Sequence, residues 1–198
     1  MRAVKFSLCI ALALLCSGCL ALSIHPLYTD EDVLFEPALI GTWSEDKDGG
    51  TWAFEPLKEN VYRLIITDDG ESSNFVAHLL RLEDQTFLDL FPEEMEHGNG
   101  WYQFHFLSVH TFFQLSLEGD KLELAFLDPK WLKEKSKAGE LKLRHQFRDD
   151  QIILTASTQE LQKFVLAHVE EAFDKEDIGV MSRLKEDNPR RRTVEDGE

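Results

Sequence analysis

The chain reads as a mainly β protein: an antiparallel β-meander that closes into a barrel or a strongly curved sheet, with a short helix near 129–138 and a packed C-terminal helix near 158–173. Three observations predict it. Short apolar segments of alternating polarity recur from Gly41 to Phe126, separated by turn sequences such as Asp68-Asp69-Gly70 and Glu118-Gly119-Asp120. Strands at this spacing pair as hairpins, in a sandwich or barrel, and not through crossover helices. The periodicity turns helical only beyond Phe126. Once a leader and a tail are set aside, about 150 residues remain, enough for one well-buried core.

Residues 1–18 read as a signal peptide. Arg2 and Lys5 give a positive start, Phe6 to Leu15 an apolar run, and Ser17 and Gly18 the small residues next to a cut. The run is too short to span a membrane, which takes roughly 20 apolar residues. Leu15-Cys16-Ser17-Gly18-Cys19 resembles the lipobox of bacterial lipoproteins, although Cys16 stands where the Leu is usual and Leu15 lies one place earlier. The resemblance implies cleavage before Cys19 and acylation of that residue; ordinary secretion with a cut after Ala21 is the alternative. The other two cysteines, Cys9 and Cys16, precede Cys19, so the domain beyond has neither a disulfide nor a catalytic thiol. In lipoproteins of enteric type an Asp after the acylated cysteine favours the inner membrane, so the resemblance, with Leu20 at that place, implies the outer membrane and its periplasmic face.

Residues 19–37 are expected to be a lipid anchor and a docking tether, since Ser23 to Tyr28 is too apolar for a free linker. The domain proper is expected at 38–173. Gly41-Thr42-Trp43 resembles the Gly-x-Trp start of the first strand in lipocalins and other calycins. That resemblance implies that Trp43 closes the base of a barrel and that Gly41 lets the backbone pass close by. Strands are predicted at Trp52–Phe54, Val61–Thr67, Phe75–Leu82, Thr86–Phe91, Trp101–Val109, Thr111–Leu117 and Leu122–Phe126. Asp128 is a good N-cap with Pro129 at the first helical position, and Gly139 ends that helix. Leu141 to Phe147 alternates, and Ile152 to Ala156 follows the Asp149-Asp150 turn. Ser157 and Glu160 form a capping box ahead of Leu161, Phe164, Val165 and His168 at helical spacing. Residues 174–198 are expected to be a solvated, disordered tail.

The chain carries 21 basic and 37 acidic residues. Removal of Arg2 and Lys5 makes the mature chain more acidic still, which argues against nucleic acid as a partner and against electrostatic binding of the chain as a whole to anionic lipid. The membrane, reached through Cys19, is the expected partner, together with either a small apolar ligand or an envelope protein. His25-Pro26-Leu27-Tyr28, Asp32, Leu39, Gly41 and Trp43 also resemble a group of bacterial envelope lipoproteins, a likeness that implies an address and no activity.

Motifs for chemistry are sparse. His105 and His110 stand on opposite sides of a continuous strand, and no pair of the seven histidines has zinc spacing. No metal, no cofactor and no catalytic residue is expected, and binding is expected in place of catalysis. Asp89 interrupts Phe87 to Phe91; it is expected near an edge, facing water, because an inward carboxylate would need a partner and would mark a binding site. Phe104, Phe106, Phe112 and Phe113 are the candidate lining of an apolar cavity in the barrel mouth, with a filled core as the alternative.

Overall fold

The computed structural model describes residues 20–45, 49–93, 101, 105–173 and 179–185. Twelve strands are described: β1 (Leu22–Ser23), β2 (Val33–Leu34), β3 (Gly41–Ser44), β4 (Thr51–Lys58), β5 (Val61–Asp68), β6 (Glu71–Leu82), β7 (Gln85–Pro92), β8 (Thr111–Glu118), β9 (Lys121–Phe126), β10 (His145–Arg148), β11 (Gln151–Leu154) and β12 (Gly179–Arg183). The helices are α1 (Pro129–Lys137) and α2 (Thr158–Ala172), with a 3-10 turn at Pro37–Leu39.

Eight strands form a closed antiparallel barrel in the order β6-β5-β4-β3-β12-β9-β8-β7, which returns to β6. Closure removes the exposed edges of an open sheet. The predicted calycin-like arrangement is therefore observed, with its two helices where their caps placed them. The Asp128 carboxylate accepts the Lys130 N–H (2.7 Å). The Ser157 backbone N–H donates to Glu160 (2.9 Å), completing the capping box. The hairpin turns are held by residues with positive φ, among them Asn60, Asp69 and Glu83. Pro56 lies inside β4 and does not end it, because the ladder to β5 shifts register between Pro56 and Lys58, where the missing N–H is tolerated.

Two apolar clusters follow from strand alternation. Leu64, Leu79, Leu88, Leu90, Phe113, Leu115, Leu122 and Leu124 point into the barrel with Trp43, Phe54 and Tyr62. Leu80, Leu82, Phe87, Phe112 and Ala125 point out from β6 to β9 and are covered by a second layer. That layer holds α1, α2, the N-terminal segment and a small sheet in the order β1-β11-β10. No helix of the described residues is long and apolar enough to cross a membrane.

Two sequence expectations are corrected. The stretch 174–198 is not wholly a disordered tail: β12 pairs with β9 and with β3, and Met181 is buried in the barrel. It is the strand that closes the cylinder. Within Gly179–Arg183 only Val180 and Met181 are apolar, too few to rise above the charged sequence around them. Residues 174–178 and 186–198 lie outside the described residues. Trp101–Val109 is not a continuous strand either; residues 105–109 carry no strand, and the connection reaches β8 through an isolated bridge at His110.

Candidate functional site

The Gly-x-Trp stretch sits at one end of the barrel. Trp43 is fully buried, and its indole Nε1 donates to the Leu39 carbonyl (2.9 Å), tying it to the 3-10 turn. Arg183 on β12 crosses over it, with the guanidinium carbon 4.2 Å from the ring centroid. The same side chain donates to the carbonyls of Ile40 (2.6 Å) and Ala38 and to Asp120 (2.9 Å). Gly41 has φ +133°, and a Cβ there would stand 2.6 Å from Arg183 Nη1. Only glycine allows both this backbone and this guanidinium. Arg183 was not found from sequence because it lies 140 residues from Trp43 in a stretch read as tail.

The four candidate lining residues do not share one place. Phe113 faces the barrel interior, whereas Phe112, one residue earlier, faces the outer layer. Phe106 is 68% exposed in the β7–β8 connection, and Phe104 lies outside the described residues. Across the interior the Trp52 ring meets Phe113 edge-on, with centroids 5.7 Å apart. β4 and β8 are four strands apart whichever way the barrel is followed, so this contact spans the lumen. Phe126 packs on Phe113 from β9 (4.7 Å), and Phe54 meets Tyr62 edge-on (6.2 Å). At these levels side chains fill the barrel.

Asp89 departs from its expected place near an edge. It is fully buried on the outer face of β7, beneath the N-terminal segment. Its Oδ2 accepts the Leu27 N–H (2.7 Å) and its Oδ1 accepts from His110 Nδ1 (2.7 Å). His78, directly across the ladder from Asp89, stacks on Tyr28 with ring centroids 4.0 Å apart. Its Nδ1 finds no hydrogen-bond partner among the described residues. Burial lowers the His78 pKa from its ordinary 6.5, with Lys58 and His110 adding to the effect and the Asp89 charge opposing it. Burial, then the charges of Asp89 and Asp30, push the Tyr28 hydroxyl up to about 12. Around this cluster α2 grips the same segment. Thr158 donates to the Pro26 carbonyl (2.8 Å), and Gln162 to the Leu27 carbonyl (2.9 Å) and Asp32 (2.7 Å). Residues 25–32 are thus a docked strap, and Asp89 is its anchor. An Asp interrupting an apolar strand was the signal in the sequence; its partners, 62 and 21 residues away, carried none.

A cleft of about 550 Å³ opens beside the 3-10 turn, between the β6–β7 and β8–β9 hairpin ends. Arg81, Glu36, Gln85 and Glu123 share its walls with Leu34, Leu117 and two residues of the barrel interior, Leu79 and Leu115, so it is a cleft of mixed polarity. No set of three metal-binding side chains converges among the described residues. Cys19 lies outside the described residues.

No family model matches the chain, and neither a curated protein nor a solved structure matches it.

Proposed function

We propose that this is a lipid-anchored lipoprotein of the bacterial envelope whose barrel is a solid scaffold for binding a protein partner, and not a carrier of an apolar ligand. The observation that carries the choice is the Trp52–Phe113 contact across the lumen. A calycin-type carrier needs a ligand cavity of several hundred cubic ångströms, roughly 300 or more, in the barrel. A filled barrel leaves recognition to the surface. There the β7–β8 connection presents Trp101 (78% exposed), Phe106 and Leu107 (both 68%). Large apolar side chains with this exposure suit a protein interface better than bulk water. The absence of a nucleophile motif in the sequence favours binding over chemistry. The anchor is Cys19, and the acidic surface keeps the tethered domain soluble.

The lumen itself provides the test. A fluorescent fatty-acid analogue should not brighten with the unaltered protein. Phe113→Ala should create a dry cavity of the kind that takes up small apolar molecules such as benzene, while the fatty-acid analogue should still not brighten. Saturable brightening with the unaltered protein, lost when Phe113 is replaced by a bulkier Trp, would overturn the scaffold reading in favour of a carrier. Partner binding is read separately: photo-crosslinking from position 105, exposed on the same connection, in intact cells should give one discrete adduct that Leu107→Asp abolishes.

A further inference from the structure

The outer face of the small sheet has a covalent constraint on what can lie against it. β1 runs parallel to β11, with Leu22 opposite Ile153, and β10 continues the sheet with Gln146 opposite Ile153. Ile152 and Leu154 point inward and are fully buried, as are Ala21 and Ser23. The alternate residues therefore point outward: Leu22 and Ile153, both half-exposed, with Gln146 and Arg148 exposed beside them. Leu20, 37% exposed, continues this row towards the N-terminus.

Cys19 is three residues before Leu22. A fully extended chain covers at most about 3.6 Å per residue, so Cys19 lies within about 11 Å of Leu22. A cysteine carrying several acyl chains sits at the top of the hydrocarbon, anchored far more firmly than by a single chain. No flexible linker separates it from the folded domain, because β1 is already paired at Leu22. We infer that this face, Leu20, Leu22 and Ile153 rimmed by Arg144 and Arg148, is covered by the headgroups of the bilayer, which fixes the orientation of the barrel on the membrane. The inference rests on the reading that Cys19 is acylated.

Two cations stand beside this row, the exposed Arg148 on β10 and Arg144, which is paired with Glu160 (2.6 Å). Between Lys130 and Arg148, seven of nineteen residues are Lys or Arg and two are acidic, in a chain whose net charge is −16. Basic side chains near an anionic bilayer are drawn to its surface, which favours one face over another. The acidic exception is the β10–β11 turn, Asp149-Asp150, at the tip of the hairpin. On the far side of the barrel β4 presents Glu55, exposed and four strands from β8.

The mature chain offers a clean labelling experiment, since an acylated Cys19 leaves no other thiol. Gln146→Cys and Glu55→Cys are each purified from membranes at full length. They are labelled with an environment-sensitive fluorophore and reconstituted into vesicles of phosphatidylethanolamine and phosphatidylglycerol carrying a headgroup nitroxide quencher. Quenching at position 146 should exceed that at position 55 several-fold. Adding Arg144→Glu and Arg148→Glu to the first variant should reduce it. Equal quenching at the two positions, with mass spectrometry showing acyl groups on Cys19, would overturn this orientation and leave the anchor intact. A chain without acyl groups would overturn both.

Discussion

Arg183 holds Trp43 from above while binding the carbonyls of Ile40 and Ala38, so a single side chain joins β12, β3 and the 3-10 turn. Charged hydrogen bonds of this kind contribute about 1.5–3 kcal/mol each where they are shielded, and an aromatic face beneath the guanidinium adds to them. Arg183→Met should therefore lower stability by about 2–3 kcal/mol, and Arg183→Lys should recover only part, because an ammonium cannot reach both carbonyls from one planar fork. Chemical denaturation monitored by Trp fluorescence reads both. A loss below about 0.5 kcal/mol for Arg183→Met would show that the end of the barrel is held by packing alone.

Gly41→Ala tests the other half of that arrangement. Its φ of +133° is closed to residues with a Cβ, and the added atom would stand 2.6 Å from Arg183 Nη1. Backbone strain of this type costs about 1–3 kcal/mol. Displacing the guanidinium should remove the Arg183 contribution as well. In the double variant Gly41→Ala with Arg183→Met the second change should then cost much less than it does alone, which a double-mutant cycle measures directly.

The closing strand makes a sharp prediction about truncation. A chain ending at Phe173 loses β12 and leaves β9 and β3 without their shared neighbour, with Met181 gone from the interior. It should fail to give a cooperative thermal transition. A chain ending at Lys185 keeps β12 and should melt as the full-length protein does. Equal melting of the two truncated chains would show that β12 is dispensable.

These outcomes also mark what the sequence made legible. The hairpins from β4 to β9 and both helices were readable because their signals are local: alternation, turn residues and caps act within a few positions. Gly41 and Trp43 were readable as a motif, but the reason for glycine was not, because it is the Arg183 side chain arriving from the far end of the chain. Asp89 was conspicuous on β7 and was still assigned to water. Its partners, the Leu27 N–H and His110, come together only when the N-terminal segment folds back over the barrel. Phe112 and Phe113 looked like one aromatic patch, yet a strand sends neighbours to opposite faces, and here both faces are buried.

Asp89 should be the most sensitive polar position in the molecule. Asp89→Ala leaves the Leu27 N–H and His110 Nδ1 buried without their acceptor, and an unsatisfied buried donor costs about 1–3 kcal/mol. Asp89→Asn retains one acceptor oxygen and should cost less. The local consequence is release of the strap: limited proteolysis should cut within 20–32 in Asp89→Ala under conditions where the unaltered protein is resistant. Cleavage elsewhere first would mean that the strap is held by Thr158 and Gln162 without Asp89.

His78 sets the pH response of the same cluster. Burial lowers its pKa in the folded state below 6.5, the value it takes in an unfolded chain. Below about pH 6.5 the unfolded state therefore binds more protons than the folded one, and stability falls as the pH drops from there towards the lowered value. Above pH 6.5 both states hold the ring neutral and this contribution is constant. His78→Phe keeps an aromatic ring against Tyr28 and removes both the titrating group and the Nδ1 that lacks a partner. Relief of an unsatisfied buried nitrogen should raise stability at pH 7 by about 1 kcal/mol. Between pH 6.5 and 5 the stability of His78→Phe should decline less steeply than that of the unaltered protein, as urea midpoints measured at each pH would show. Parallel slopes for the two proteins would place the acid sensitivity elsewhere than at His78.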